Sequence, residues 1–133
     1  MILRLNPSSG VPVYLQIIEQ VKHAIATGTV NAGEQLPSVR QMAEHLLVNP
    51  NTVARAYRDL EQEGIIELKH GSGAFISESI APPSKSMHKA QALVKSAIEQ
   101  LGSFGLAEEE IRRLIENELA LRKSTKSSRK KYA

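Results

Sequence analysis

Asn51, Arg55, Arg58 and Gln62 hold the chemistry that stands out in this chain. At about 100° per residue they share one side of a helix. An asparagine amide can pair with the edge of adenine, and an arginine fork can take guanine or a phosphate oxygen. An ordinary solvated helix face has the same composition, so these residues alone leave both readings open. On the other side Val53, Ala56, Tyr57 and Leu60 recur at i, i+3, i+4 and i+7, a face by which the helix can be anchored.

The helix that must carry them has a marked start and stop. Asn49 is a good N-cap, Pro50 suits the first helical position, and Gly64 can turn left-handed at the end. A shorter helix precedes it. After Pro37, Ser38 and Gln41 form an S-x-x-Q capping box, and Val39, Met42, Ala43 and Leu46 follow on one face. Two short helices joined by a tight turn, the second with polar residues outward from its N-terminal end, describe a helix-turn-helix. Beyond Gly64, Ile65 to Lys69 and Ala74 to Ser77 are β-rich runs around His70-Gly71-Ser72-Gly73, with Ile66 and Leu68 alternating with Glu67 and Lys69. A helix-turn-helix followed by a hairpin is a winged helix. Its tip could approach a DNA backbone or minor groove, with Lys69 and His70 meeting phosphate, or could be a plain flexible turn. The G-x-G here closes a hairpin instead of opening a helix, so it is not a nucleotide-binding loop.

Upstream, Ile2 to Leu5 is a short lead and Asn6 to Pro12 a turn-rich loop. Val13 to about Thr27 carries Tyr14, Ile17, Ile18, Val21 and Ile25 as a helical stripe ended by Gly28, a framework helix. Val30 to Leu36 connects it to the reader pair. Residues 1–78 therefore form an expected winged helix-turn-helix head. Residues 79–87, with two adjacent prolines and three serines, read as a linker. Residues 88–122 hold two further stripes, Ala90 to Leu101 closed by Gly102, then Ile111 to Leu119. Two such helices cannot enclose a core alone. Either the chain's own head or a second copy must cover them, and a two-fold dimer also lengthens a recognition site. Leu93, Ala97, Leu101, Ile111, Leu114 and Ile115 are the candidate dimerisation residues. Residues 123–133 have no apolar period and are expected to be disordered. The fold class is mainly α with a small β-hairpin: a winged helix-turn-helix head plus a two-helix C-terminal dimerisation tail.

Composition removes several classes of function. With 41% hydrophobic and 23% charged residues the chain is neither disordered throughout nor membrane-spanning, and no stretch approaches the ~20 apolar residues of a transmembrane helix. No secretory signal is visible, and the absence of cysteine removes disulfides, thiolate zinc sites and cysteine nucleophiles together. A cytoplasmic setting is expected. Residues 122–133 hold six of the 17 basic residues and no acid, which leaves residues 1–121 at 11 minus 14, or −3. Any attraction for DNA must then be local, from Arg40, Arg55, Arg58, Lys69 and His70. His23, His45, His70 and His88 lack metal-ligand spacing, Glu108 to Glu110 favour a helix dipole, and Ser38 is a cap. No enzyme, metal or cofactor is expected. The competing classes are a winged-helix protein-interaction module and a nonspecific architectural DNA binder.

Residues 11–77 resemble the winged-helix head of GntR-family transcriptional regulators. L-P-S-x-R, N-T-V, E-x-E-G and H-G-S-G occur in order, and the run VNPNTVARAYRDLE with only a short two-helix tail is similar to the YtrA subfamily. The resemblance implies a bacterial dimeric regulator, most often a repressor, that binds double-stranded DNA at a pseudo-palindromic operator. It also implies that Arg40 holds phosphate or reaches a base, that Asn51, Thr52 and Arg55 face the major groove, and that His70 and Gly71 sit at the wing. The full candidate set is Arg40, Asn49, Asn51, Thr52, Arg55, Arg58, Lys69, His70 and Gly71. Pro50 departs from other branches, some of which carry arginine there, so base preferences do not transfer. The tail is too short for an enclosed effector pocket of several hundred Å3, which leaves a small ligand between subunits as the remaining place for one.

Overall fold

The structure, a computed structural model, describes the backbone of residues 3–132 and the side chains of residues 3–125. It divides into two compact units, Met1–His88 and Lys89–Ala133. In chain order the elements are α1 (Val13–Ala26), β1 (Gln35–Leu36), α2 (Val39–Leu46), α3 (Pro50–Gln62), β2 (Ile66–Lys69), β3 (Gly73–Ile76), α4 (Lys85–Ser103) and α5 (Glu108–Tyr132).

The first unit is built on one apolar cluster. Ile17 and Val21 of α1 and Val53, Ala56, Tyr57 and Leu60 of α3 are fully buried, and Met42, Ala43, Leu36, Ile66, Ala74 and Ile76 close around them. Removing that much apolar surface from water is the main force holding three short helices together. Tyr14 and Ile25, expected on the buried stripe of α1, are only half-buried, and Gln16 is buried instead. Its carboxamide makes this tolerable because every side of it is used. It accepts the Asn6 N–H at 2.8 Å and donates to the Asn6 and Val11 carbonyls at 3.0 and 2.8 Å. Gln20 holds Arg4 likewise, accepting its N–H at 2.8 Å and donating to its carbonyl at 2.5 Å. The N-terminal lead is thereby pinned to α1 with Leu3 buried; Met1 and Ile2 lie outside the described residues.

The hairpin proves to be part of a three-stranded antiparallel sheet of order β1-β3-β2. Its register sets Ile66 against Ile76, Leu68 against Ala74 and Lys69 against Gly73. β1 adds Gln35 against Phe75 and Leu36 against Ala74. Two residues carry no period, which is why this strand was not expected from the sequence. Leu68 is 42% exposed, so the alternation along β2 keeps only Ile66 in the core.

The linker boundaries differ from those expected. Ile80 packs on the head's core, and Pro83 Cγ lies 3.0 Å from where a Cβ on Gly28 would stand. Gly28 has φ +77°, so it serves both the turn after α1 and this close approach. α4 then starts at Lys85 because Ser84 Oγ accepts the Met87 N–H at 3.0 Å, a cap that the surrounding prolines obscured. α4 also runs past Gly102 to Ser103, and the left-handed residue of the turn is Gly105, φ +85°. α5 continues to Tyr132, where disorder was expected for residues 123–133; Ala133 lies outside the described residues. No glycine or proline interrupts 108–132, arginine and lysine are good helix formers, and Glu108–Arg112 and Glu118–Arg122 pair at i, i+4. No helix among the described residues is long and apolar enough to cross a membrane.

Candidate nucleic-acid interface

Helices α2 and α3 are capped as their residues dictate. Ser38 Oγ accepts the Gln41 N–H at 3.1 Å while Gln41 Oε1 accepts the Ser38 N–H at 3.0 Å, the complete capping box. Asn49 Oδ1 accepts the Asn51 N–H at 2.8 Å with Pro50 behind it. The Asn49 oxygen, placed in the candidate set from sequence, is thus already committed to starting α3. Leu47 makes the turn between the helices at φ 57°, ψ 46°, with its N–H on the Ala43 carbonyl and its side chain 91% exposed. A left-handed leucine costs about 1–2 kcal/mol. Leu47→Gly is therefore expected to stabilise the chain by ~0.5–1 kcal/mol after the entropy of the added glycine. Urea unfolding checks this; an unchanged or lower midpoint would show that the leucine side chain contributes more than its exposure suggests.

The outward face of α3 carries Asn51, Arg55, Arg58 and Gln62, all exposed, and Thr52 half-buried beside them. Tyr57 sets the angle of that face. Its hydroxyl donates to the Pro37 carbonyl at 2.6 Å, tying α3 to the entry of α2, and desolvation by burial raises its pKa, so it remains a neutral donor. Arg40, in the first turn of α2, is exposed, its Nε 3.5 Å from Glu44. Such a pair is weak and readily exchanged for another anion. Arg55 is placed otherwise: its guanidinium carbon lies 3.7 Å from the centre of the Tyr14 ring.

Lys69, His70 and Gly71 are exposed on the wing, with Lys69 Nζ 4.8 Å from the centre of the Phe75 ring. Two side chains fix the wing. Glu61 of α3 accepts the Leu68 N–H at 3.2 Å, and Gln35 of β1 donates to the Ser72 carbonyl at 3.0 Å. Gly73, at φ +112°, lets Gln35 come this close, since a Cβ there would lie 3.0 Å from its Nε2. Between the start of α2 and the wing runs a groove of about 360 Å3 lined by Ser38, Val39, Tyr57, Leu68, Lys69 and His70.

From sequence, Tyr14 stands only on the α1 stripe, Glu61 only in the E-x-E-G run and Gln35 in no pattern, because each acts here on a partner outside its own local period. In the second unit Leu93 and Leu114 are 72% and 50% exposed, and Ala97 and Ile115 are exposed as well. Leu101 is half-buried, and Ile111 is already buried within the single chain and offers no free surface.

A three-helix head with a three-stranded sheet and an exposed polar face on its third helix defines a winged helix-turn-helix protein. The profile described as "Bacterial regulatory proteins, gntR family" matches residues 13–76. The chain is 47% identical over 77 residues to the HTH-type transcriptional repressor YtrA of Bacillus subtilis, a match covering 58% of this chain and 59% of YtrA. It thus spans about three-fifths of that relative's length. It is 36% identical over 104 residues to the uncharacterised HTH-type transcriptional regulator YhcF of the same organism, covering 77% of this chain and 86% of YhcF. The solved structure of YtrA from Sulfolobus acidocaldarius, a GntR-family transcription factor, superposes with a TM-score of 0.54 at 27% identity over 89% of this chain and 97% of that one. The chain belongs to the gntR family of bacterial regulatory proteins, and its relatives include the YtrA type.

Proposed function

We propose that this chain is a sequence-specific DNA-binding repressor of the cytoplasm that acts as a homodimer on a pseudo-palindromic operator. The observation that carries the reading is the division of α3: Val53, Ala56, Tyr57 and Leu60 are buried, whereas Asn51, Arg55 and Arg58 are exposed. A helix held by one face and polar on the other is what entry into a major groove requires. Arg40 and, on the wing, Lys69, His70 and Gly71 supply backbone contacts that set the register, and Thr52 and the free amide nitrogen of Asn49 flank the first bases read. Selection of bound fragments from random duplex DNA by the purified chain tests this. An enriched inverted repeat is expected; no enrichment over the input pool would refute sequence-specific binding.

Dimerisation is assigned to α4 and α5. Leu93, Val94, Leu114 and Leu119 are all more than half exposed or at that level, at 72%, 56%, 50% and 62%. Isolated exposed leucines are ordinary, but a stripe of them on two successive helices marks an interface. Leu93→Asp and Leu114→Asp are each expected to yield monomers in sedimentation at micromolar concentration, with operator affinity reduced accordingly. Variants that sediment as dimers would place the interface elsewhere.

A further inference from the structure

We infer that Tyr14, on the framework helix and outside the reader pair, is the positioning residue for Arg55, and that its ring sets how sharply α3 discriminates between sequences. This rests on the DNA-binding reading above. Arg55 has an acidic residue four positions on, Asp59, the usual partner for an arginine on a helix surface. No carboxylate lies within ion-pair distance of it among the described residues, and its guanidinium stands over the Tyr14 ring at 3.7 Å.

The choice of partner has a chemical consequence. A carboxylate would occupy the N–H fork of the arginine, the same atoms that a guanine edge or a phosphate needs. An aromatic face holds the cation through its π-cloud and uses none of the five N–H donors. Arg40, Arg112 and Arg122 illustrate the other arrangement, each with a nitrogen within 4.0 Å of a glutamate at i+4 or i−4. Tyr14 is itself fixed: it lies in the first turn of α1, half-buried against the core. The ring is therefore a platform that removes rotamer freedom from Arg55 before DNA arrives, and less entropy is lost on binding.

The test uses the whole chain of residues 1–133, a labelled duplex carrying the sequence that it enriches from a random pool, and a scrambled duplex of equal length. Tyr14→Leu and Tyr14→Met remove the ring while keeping apolar volume; Tyr14→Phe keeps the ring. Affinity for the enriched duplex should fall about tenfold in the first two and stay near wild type in Tyr14→Phe, a size set by the strength of a cation–π contact. Affinity for the scrambled duplex should hardly change. In an Arg55→Ala background the Tyr14 substitutions should have no further effect. Melting temperatures separate a folding defect from a binding one, and the Leu and Met variants differ enough in shape for one of them to pack. A full additional loss in the Arg55→Ala background, or equal affinity of Tyr14→Met and wild type for the enriched duplex, would overturn the assignment. Failure of wild type itself to distinguish the two duplexes would instead overturn the DNA-binding reading.

Discussion

Replacing Tyr57 with alanine is expected to lower the unfolding free energy by ~3–5 kcal/mol, the range for emptying a large aromatic site in a core. Tyr57 is 1% exposed and among the largest fully buried side chains of the chain. It also carries the hydroxyl that donates to the Pro37 carbonyl at 2.6 Å, so the same substitution strips the entry of α2 of its partner. Whole domains are stable by only about 5–15 kcal/mol, so such a loss consumes a large share of the total. Tyr57→Phe separates the two contributions, since it keeps the ring and deletes the donor. Its cost should be about 1–2 kcal/mol, the value of a lost hydrogen bond that leaves a carbonyl without its partner. Urea unfolding of wild type and both variants gives the two numbers. If Tyr57→Ala cost under 1 kcal/mol, the head would have to be held by something other than the cluster around α3.

Much of this was written in local residue order. Ser38 with Gln41, Asn49 with Pro50, and the stripe Val53, Ala56, Tyr57, Leu60 each act within one or two helical turns, and each appears where its spacing places it. What the spacing could not express were features made by distant residues. β1 exists because Gln35 and Leu36 pair with Phe75 and Ala74, some forty residues on, and two residues have no period of their own. The proline-rich segment reads as a linker because composition carries no record of Pro83 lying against the turn at Gly28. Gln16, polar by type, is buried because the loop before α1 brings backbone groups to it. The exposed set on α3 was legible as a set. Its support by Tyr14, and the fixing of the wing by Gln35 and Glu61, was not.

Arg55→Ala should weaken binding to the enriched sequence by ~1–3 kcal/mol, about five- to 150-fold, and relax preference at one position. The reasoning depends on where the residue sits and what it is not doing. Arg55 is exposed, one turn into α3, on the face opposite the core, and its charge is held by a ring instead of by a carboxylate. Under the proposed DNA-binding reading, deleting it removes a base-reading group at little cost to the fold beyond the ring contact. Arg40→Ala provides the contrast. It stands at the start of α2 with only a weak partner in Glu44, and it is the residue proposed above for a DNA-backbone contact. Its loss should lower affinity for enriched and scrambled duplexes alike and reduce the slope of log K against log salt by about one. Titrations at several salt concentrations distinguish the two roles. If Arg55→Ala weakened all sequences equally and lowered the salt slope, Arg55 would be a phosphate contact, and the reading of sequence would pass to Asn51 and Arg58.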